Sequence, residues 1–472
     1  MTMQRKPQTH QESFWVTTSE LPESPGHPFY ARLEQVLIEG GFDMFVEAEC
    51  EPYYADRQGR PSIPPGVYFR MLLIGYFERI DSERGIAWRC EDSLSLRNFL
   101  GIPLNEKTPD HSSLSRIRTR LPLETHDHVF SWVLKLLARQ GLLDGKTLGV
   151  DATTLEANAA LRSIVRRDTG ESYRDFLTNL AKAEGIESPT RSDVAKVDRK
   201  RPRKGSNADW VNPHEPDAQI TKMKDGSTHL AHKAEQVVDM SGNGVVVAVQ
   251  LYGGAAGDTD TGLSTLAEAH EQLGEIKADR ESKDTLNEEA GKEIVADKGY
   301  HSNDMLVAMA QAEIRTYISE PERGRRCWEE NPEAQEPVYA NRRRMKRDRG
   351  KGLSRLRGEL LERPFAHYLE GGGLRRTHLR GHDNILKRLL VHVAGFNLGL
   401  LMRALIGVGT PKGFGALPEA LNARGSLVEA LRHTVLAVFH HLRIDNLLEL
   451  LRKSREAIAL VTMKNATIST GC

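Results

Sequence analysis

The sequence predicts an α/β protein in which a mixed-sheet core follows an all-helical N-terminal domain and precedes a helical C-terminal extension. Two observations support this fold class. Between residues 67 and 121 the apolar residues recur at helical spacing and the helical runs are short. Further along, short β-branched runs at 147–151 (TLGVD) and 293–297 (EIVAD) are typical of buried strands. At 472 residues, the chain has room for roughly two or three domains.

Changes in composition predict the domain boundaries. The segment GRPSIPP at 59–65 is a hard break, because proline and glycine interrupt regular structure. The α/β domain is expected to carry insertions at 159–215 and 320–355. The predicted segments are a polar stretch with one helical region from Phe29 to Glu47 (1–58), a helical domain (59–140), an α/β domain (141–406) and a helical tail (407–472).

The order of elements in the α/β domain is informative. The pattern predicts strands at 146–155, 228–240, 245–251, 293–297 and 314–318, with helices at 259–273 and 302–313. Three antiparallel strands followed by helix, strand, helix and strand is the order of a ribonuclease H-like core. In such a core the first and fourth strands are neighbours. Asp151 and Asp297 should therefore meet, although they are far apart in sequence.

Asp151 and Asp297 each end one of the two short apolar runs. Acidic side chains at adjacent strand ends project into the crevice where α/β sheets bind ligands. Two such carboxylates with a third make an oxygen-rich site for hard divalent metals. Paired ions about 3.5–4 Å apart suit phosphodiester chemistry. The alternative is that each Asp only caps the turn or helix that follows.

A third carboxylate is expected from the helical region around residue 360. Glu359, Glu362 and Glu370 are all candidates. Because proline is tolerated in the first turn of a helix but disrupts its interior, Pro364 places Glu362 at the start of a new helix or at a kink. Either placement fixes the direction of this side chain, which favours Glu362.

The distribution of charge, rather than the net charge, indicates a nucleic-acid partner. Lys+Arg and Asp+Glu are each 65. Residues 199–204 hold five basic residues, and nine basic residues lie between Arg342 and Arg357. Arg342, Arg343 and Arg344 are therefore predicted to contact DNA phosphates. The alternative is that these blocks are solvated loops.

A second basic feature lies in the N-terminal domain. Asp110 can cap a helix over 110–120 that carries Arg116 and Arg118. A compact helical unit with a basic last helix is similar to a helix-turn-helix reader of DNA, which predicts that these arginines contact DNA. The alternative is an ordinary helical bundle with a solvent-exposed basic face, which would show the same pattern.

The cysteines and the hydropathy pattern point to an intracellular protein. The four cysteines lie far apart without CxxC spacing, which is expected of a reducing cytoplasm. No N-terminal stretch has a signal-peptide layout, and no apolar run approaches about 18 residues. We therefore expect a cytoplasmic protein without a membrane partner.

Several motifs together resemble the DDE transposases of bacterial insertion sequences. They are GVDAT at 149–153, ADKGY at 296–300, and the segment from ERPF at 362–365 to Asn397. Residues 59–121 are similar to the N-terminal domain of those proteins. The likeness spans roughly residues 28–406. It implies a ribonuclease H-like core, two Mg2+ ions (Mn2+ as a substitute), DNA cleavage with strand transfer, and Glu362 as the third acid.

The resemblance also implies partners. They are the terminal inverted repeats of a mobile element, target DNA, and further copies of the chain in a dimer or larger oligomer in the bacterial nucleoid. One departure stands out, because many relatives place a Lys two helical turns after the Glu, where this chain has Leu369. His367 or Arg376 could take over the role of holding a phosphate.

Three further residues are candidates for DNA contact. Lys298 and His301 follow Asp297 and could reach the scissile phosphate, or they could belong to a surface turn. Trp328, among arginines, could stack on an unpaired base or pack the loop onto the core.

We conclude from the sequence that the protein is a transposase acting on the ends of its own element. One alternative is a metal-dependent nuclease that cuts without strand transfer. Another is a domesticated DNA-binding regulator without catalysis, although a pure binder has no need of three converging acids.

Overall fold

The computed structural model describes most of the chain. The ranges are 26–55, 62–201, 205–223, 225–322, 324 and 326–414. Three features noted in the sequence lie outside these residues: positions 59–61 of the predicted break, the end of the basic block at 202–204, and most of the predicted C-terminal tail, from residue 415 onward.

The N-terminal region is entirely helical in its described residues. Its helices are α1 (Pro28–Glu39), α2 (Phe42–Cys50), α3 (Pro65–Glu78), α4 (Glu83–Glu91), α5 (Leu94–Phe99), α6 (His111–Arg120) and α7 (Leu123–Arg139). The single helical stretch expected from Phe29 to Glu47 is two helices, because Gly41 adopts a left-handed φ of 70° between them. Asp110 caps α6 as predicted, accepting from Ser113 N at 2.7 Å.

The first two helices pack into the same bundle as the later ones. The ring of Phe29 on α1 lies 4.8 Å from that of Phe77 on α3. Phe42 on α2 lies 5.0 Å from Trp132 on α7. These edge and tilted aromatic contacts are a favourable geometry in buried cores. The bundle therefore includes the helices on both sides of the predicted break at 59–65.

The α/β region follows the bundle. In chain order it contains β1 (Thr147–Glu156), β2 (Val165–Arg166), α8 (Tyr173–Ala183), α9 (Arg191–Lys200), β3 (Trp210–Val211), β4 (Gln219–Lys222), β5 (Thr228–Asp239), β6 (Val246–Gly253), α10 (Asp258–Ala278), β7 (Glu293–Ala296), α11 (Asn303–Gln311), β8 (Arg315–Ile318), α12 (Gln335–Lys346), α13 (Asp348–Phe365), α14 (His382–Ile406) and α15 (Pro411–Phe414).

The main sheet has six strands and confirms the predicted fold. Its path is β4-β5-β1-β7-β8, and β6 also pairs with β5. The pairs β1–β5 and β5–β6 are antiparallel, whereas β1–β7 and β7–β8 are parallel. Without β4, this is the strand arrangement of a ribonuclease H-like core, and β1 and β7, its first and fourth strands in chain order, are neighbours.

Helices cover both faces of this sheet. Glu235 on β5 contacts α10 through Thr261 and Thr265, whereas the next residue, Gln236, contacts α13 at Leu361. Because successive side chains of a strand point to opposite faces, α10 and α13 lie on opposite sides of the sheet.

Helix α14 joins the core to the N-terminal bundle. Asn397 hydrogen-bonds both the N–H and the C=O of Val246 on β6 at 3.0 and 2.8 Å, and the helix also packs on α3 and α7. By length and composition alone, the stretch His382–Phe414 could cross a membrane, with a mean hydropathy of 1.8 in its most apolar window. However, 78% of that window is buried inside the protein. A core helix buried in this way passes the same test.

The insertion between β1 and β4 is a small folded unit. It consists of the β2–β3 ribbon with α8 and α9. Ile164 and Trp210 form its centre together with Leu230 of β5, and Tyr173 and Phe176 pack against them. This apolar cluster attaches the insertion to the main sheet.

A partly buried carboxyl group links α7 to α10. Asp127 accepts hydrogen bonds from Gln272 Nε2 at 3.3 and 3.2 Å. Burial, followed by the negative charges of Glu268 and Glu275, raises the pKa of Asp127 to about 7. An unfolded Asp titrates near 4, so the folded state holds this proton more tightly. The stability that results is present at about pH 4 and is lost as the pH rises through about 7.

Asp127→Asn should therefore stabilise the fold at pH 8 by about 1–2 kcal/mol and have little effect at pH 4, because the amide is neutral at both. Thermal melts across this pH range measure the difference. Asp92→Asn, on an exposed carboxylate, serves as the control and should show no such trend. An equal gain for Asp127→Asn at pH 4 and pH 8 would contradict the assignment.

Candidate active site

The pairing of β1 with β7 brings the two candidate aspartates to one end of the sheet. Leu148 pairs with Ile294, and Gly149 pairs with Val295. Asp151 and Asp297 each follow this last pair by two residues, so they occupy equivalent positions on adjacent strands. Both side chains are partly buried. The strands were predicted to be neighbours, and the structure confirms it.

Asp151 lies on the face of the sheet that α13 covers. Its partner across β5 is Gln236, and Arg357 of α13 places Nη1 4.0 Å from Asp151 Oδ2. A Cβ atom on Gly149 would lie 2.6 Å from the Leu361 side chain. Because glycine leaves that space open, α13 packs directly over β1, close to Asp151.

Asp297 begins a short turn. Its Oδ1 accepts from Gly299 N at 2.7 Å, so this aspartate is indeed an N-cap. The cap engages one oxygen and is compatible with a metal-binding role for the carboxylate. A Cβ atom on Gly299 would lie 2.9 Å from Asp297 Oδ1 and 2.4 Å from Asp258 Oδ2. Glycine is therefore required at this position, where two carboxylates meet the turn.

Glu362 lies on α13, one residue after Leu361, and its side chain is exposed. Pro364 stands inside α13, so Glu362 is not at the start of a new helix, which was one of the two predicted placements. The helix continues into a π-helical turn, Ala366–Gly371. Proline has no N–H and disturbs the helical ladder. Gln236 Nε2 donates to Leu361 O at 2.7 Å, which ties α13 to the sheet three residues before Pro364.

The other two glutamates have nearby basic partners. Glu359 accepts from Arg363 at 2.7 Å, and Glu370 accepts from Arg375 at 2.5 Å. For Glu362, no ion pair is recorded within the part of the chain that the structure describes. This difference favours Glu362 as the carboxylate that is available to a ligand.

The residues fit a divalent metal in part. Asp151 lies in the middle of β1 and not at a strand end as predicted, whereas Asp297 directly follows the end of β7. Both carboxylates still come two residues after the last β1–β7 pair, and hard cations prefer oxygen donors. Across the described ranges, however, no three His, Cys, Asp or Glu side chains are already grouped to hold an ion. Instead, the guanidinium of Arg357 lies against Asp151. Completing a three-carboxylate site would require the Glu362 side chain to turn towards the strand ends.

The two residues beside Asp297 that were predicted to touch phosphate differ in their exposure to solvent. Lys298 is exposed, whereas His301 is only 1% exposed. His301 lies near Glu320, whose pKa is lowered by the hydrogen bond from Arg342 and, to a smaller extent, by His301. In this conformation, Lys298 is therefore the one of the pair that DNA can reach.

The three consecutive arginines of α12 also differ. Arg342 donates to Glu320 at 2.6 and 2.8 Å. Arg344 donates to Thr316 on β8 at 2.9 and 3.0 Å and is half-buried. Arg343 is exposed and pairs with exposed Glu336 at 2.5 Å. Two of the three thus hold α12 to the core, and Arg343 is the one most open to DNA.

The two arginines of α6 that were predicted to contact DNA also differ in their exposure to solvent. Arg116 is exposed. The side chain of Arg118 is 12% exposed and forms an ion pair with Glu83 of α4. Burial lowers the pKa of Arg118. Arg118 therefore braces α6 against α4 from inside the bundle, and direct base contact is open to Arg116 alone of the two.

Trp328 is partly buried and lines a cavity of about 550 Å³ with Arg326, Cys327 and Glu329. Its ring lies 5.8 Å from that of Tyr339, and the Arg326 guanidinium lies 4.9 Å from it. Arg325 lies outside the described residues. The contact with Tyr339 shows that Trp328 packs its loop onto α12.

Two residues near the aspartates had no individual signal in the sequence. Gln236 is one of several polar residues in β5, and Arg357 is one of nine basic residues in its block. Their roles depend on α13 crossing β1 and β5, which periodicity does not reveal. The small residue Gly149, two positions before Asp151, is the one local sign of a close helix approach.

The comparisons with known proteins concern the N-terminal helices. Residues 19–120 match a family model described as a transposase domain (DUF772). No curated protein and no solved structure matches the chain. The described part of the matched range contains α1–α6. The N-terminal helices are thus similar to a transposase domain, as the resemblance implied, and the match supports a transposase in general.

Arg343→Ala should weaken DNA binding similarly for all sequences and lower the slope of log K against log salt by up to about 0.9, because an exposed guanidinium would contact phosphate. Arg344→Ala should instead lower the melting temperature, because Thr316 loses its partner. Salt titrations of binding and thermal melts measure the two effects. An unchanged salt slope for Arg343→Ala would make it a solvated residue.

Proposed function

We propose that this protein is a DDE transposase that cleaves DNA at the ends of an insertion sequence and joins the freed 3′-hydroxyl to target DNA. The observation that carries the proposal is the β1–β7 register: Asp151 and Asp297 each stand two residues after its last pair, Gly149–Val295, in a sheet with the strand arrangement of a ribonuclease H-like core. The transposase domain at residues 19–120 gives this arrangement its context.

The proposed cofactor is Mg2+, bound as two ions, with Mn2+ as a substitute. Asp151 and Asp297 would hold both ions, and Glu362 would complete the ligands of one. When bound, the ions supply an activated water and stabilise the leaving 3′ oxygen. This chemistry needs no covalent protein intermediate, which is consistent with a site built from carboxylates.

The side chains around the aspartates have distinct proposed roles. The β1–β7 pairing would hold Asp151, and the capped turn that follows β7 would hold Asp297, close to the positions that the reaction needs. Arg357 would offset the charge of Asp151 before the ions bind, and the same guanidinium could then turn to the DNA backbone. Lys298, exposed beside Asp297, would hold the scissile phosphate.

DNA would contact several surfaces. Arg116 on α6 is placed to read the terminal inverted repeat, and Arg343 on α12 to follow the phosphate backbone. Arg118 would act indirectly, by fixing α6 against α4. Because an element has two ends, we propose that the protein works as a dimer or a larger oligomer on DNA, in the nucleoid of the bacterial cytoplasm.

The proposal is tested by incubating the protein with element-end DNA and Mg2+. We expect free 3′-hydroxyl ends and products joined to target DNA, both dependent on the metal. Cut ends that never join would establish a nuclease instead. DNA binding without any metal-dependent cleavage would indicate a regulator and would contradict the proposed chemistry.

Asp151→Ala, Asp297→Ala and Glu362→Ala should each reduce cleavage below detection while leaving DNA-end binding nearly unchanged, because these acids hold metal and not phosphate. Gel-based cleavage assays and binding titrations measure the two properties. Glu359→Ala, on the same helix but paired with Arg363, is the matched control and should cleave normally. If Glu359→Ala loses cleavage and Glu362→Ala keeps it, the third acid is Glu359.

A further inference from the structure

A buried polar cluster lies against the turn that carries Asp297. Its centre is Glu235 on β5, which is fully buried. The Glu235 carboxylate accepts hydrogen bonds from Tyr300 Oη at 2.8 Å, Thr261 Oγ1 at 2.9 Å and Thr265 Oγ1 at 2.5 Å. Burying a carboxylate costs free energy unless hydrogen bonds replace those it made to water. The position of the Glu235 carboxylate therefore depends on these three donors together.

Lys233 completes the cluster and connects it to a second acid. Its Nζ lies 3.1 Å from Glu235 Oε1 and 2.7 Å from Asp258 Oδ1, and it donates to Thr261 Oγ1 at 2.7 Å. Asp258 in turn lies against Gly299, in the turn that Asp297 begins. The buried, oppositely charged side chains of Lys233 and Glu235 are thus joined to Asp258, the partly exposed first residue of α10.

Tyr300 ties this cluster to the backbone of the Asp297 turn. It is only 1% exposed and stands three residues after Asp297. A Cβ atom on Gly262 would lie 2.7 Å from the Tyr300 ring, so α10 packs closely on that ring. Burial, and then the charge of Glu235, raise the pKa of Tyr300 far above its ordinary value, so the hydroxyl keeps its proton and donates.

The turn is therefore held at two points. The Tyr300 hydroxyl is bonded to Glu235, and Lys233 holds Asp258 against Gly299. Asp297, which caps the same turn, has its backbone direction set by both contacts. A slack turn would leave Asp297 free to rotate away from Asp151, and small misplacements of ligating groups weaken metal sites strongly.

We propose that Glu235 and Tyr300 are positioning residues that hold Asp297 in register with Asp151 for metal binding. The inference rests on the proposed function, since it concerns the affinity of the Asp151–Asp297 pair for a divalent cation. Neither residue touches DNA or the reacting atoms. Both act through the backbone of the turn.

The test uses the full-length protein and Tyr300→Phe, which removes the hydroxyl and keeps the ring. Mn2+ binding, measured calorimetrically without DNA, should weaken by about 10-fold or more, in the range of changes to residues that support metal ligands. The Mg2+ concentration for half-maximal cleavage should rise in parallel, while binding of element-end DNA without metal should stay unchanged. A purely structural hydroxyl would not move the metal isotherm.

A matched control comes from the same cluster. Tyr252 Oη lies 2.9 Å from Thr265 Oγ1, but Tyr252 belongs to β6 and not to the turn. Tyr252→Phe therefore removes a comparable hydroxyl and should bind Mn2+ like the wild type. Glu235→Gln keeps an acceptor for Tyr300 and should bind Mn2+ better than Glu235→Ala, which keeps none.

Several outcomes would overturn the proposal. Wild-type Mn2+ affinity in Tyr300→Phe would do so, as would equal weakening by Tyr252→Phe, or equal losses in the two Glu235 variants. If Tyr300→Phe does not fold, the comparison of Glu235→Gln with Glu235→Ala decides the matter. Failure of the proposed function would look different, because Asp297→Ala itself would then bind Mn2+ as the wild type does.

Discussion

The parallel pairing of β1 with β7 is the constraint on which the rest of the site depends. It joins two distant segments through three residue pairs, Thr147–Glu293, Leu148–Ile294 and Gly149–Val295. Thr147 Oγ1 donates to Glu293 Oε2 at 2.7 Å, and Arg349 of α13 pairs with the same buried carboxylate. A slip of one residue would turn the following side chains to opposite faces. Glu293 therefore helps to fix the register that aligns Asp151 with Asp297.

The position of helix α13 depends on the same pairing. Near the start of the helix, Arg349 pairs with Glu293 of β7. The helix then crosses the sheet and reaches β1, where Gly149 lets Leu361 pack closely. Gln236 then meets the helix at Leu361, before Pro364 and the π-helical turn. Such turns are frequent at functional sites. On the opposite face, α10 supplies the threonines around Glu235. The aspartates thus lie between two helices that are anchored independently.

Much of the fold could be predicted from the sequence, because its strands are short, β-branched and bounded by glycine or polar residues. The strands at 147–156 and 293–296 differ from expectation by about one residue at their ends. The ion pairs and hydrogen bonds of individual side chains could not be predicted. In the sequence, Arg118 and Arg344 look like exposed surface residues. In the structure, Glu83 and Thr316, which are distant in sequence, hold them to the core. Pro364 predicted a helix start or a kink at Glu362, whereas it stands inside α13, shortly before the π-helical turn.

The most direct measurement concerns whether Asp151, Asp297 and Glu362 surround one cation site. With Fe2+ in place of Mg2+, and ascorbate and peroxide added, hydroxyl radicals cut the backbone close to the bound ion, and mass spectrometry locates the cuts. The account predicts cuts clustered near residues 151, 297 and 362, which excess Mg2+ suppresses and Asp151→Ala abolishes. Cuts near 151 and 297 but at 359 or 370 in place of 362, or cuts that Mg2+ does not suppress, would contradict it.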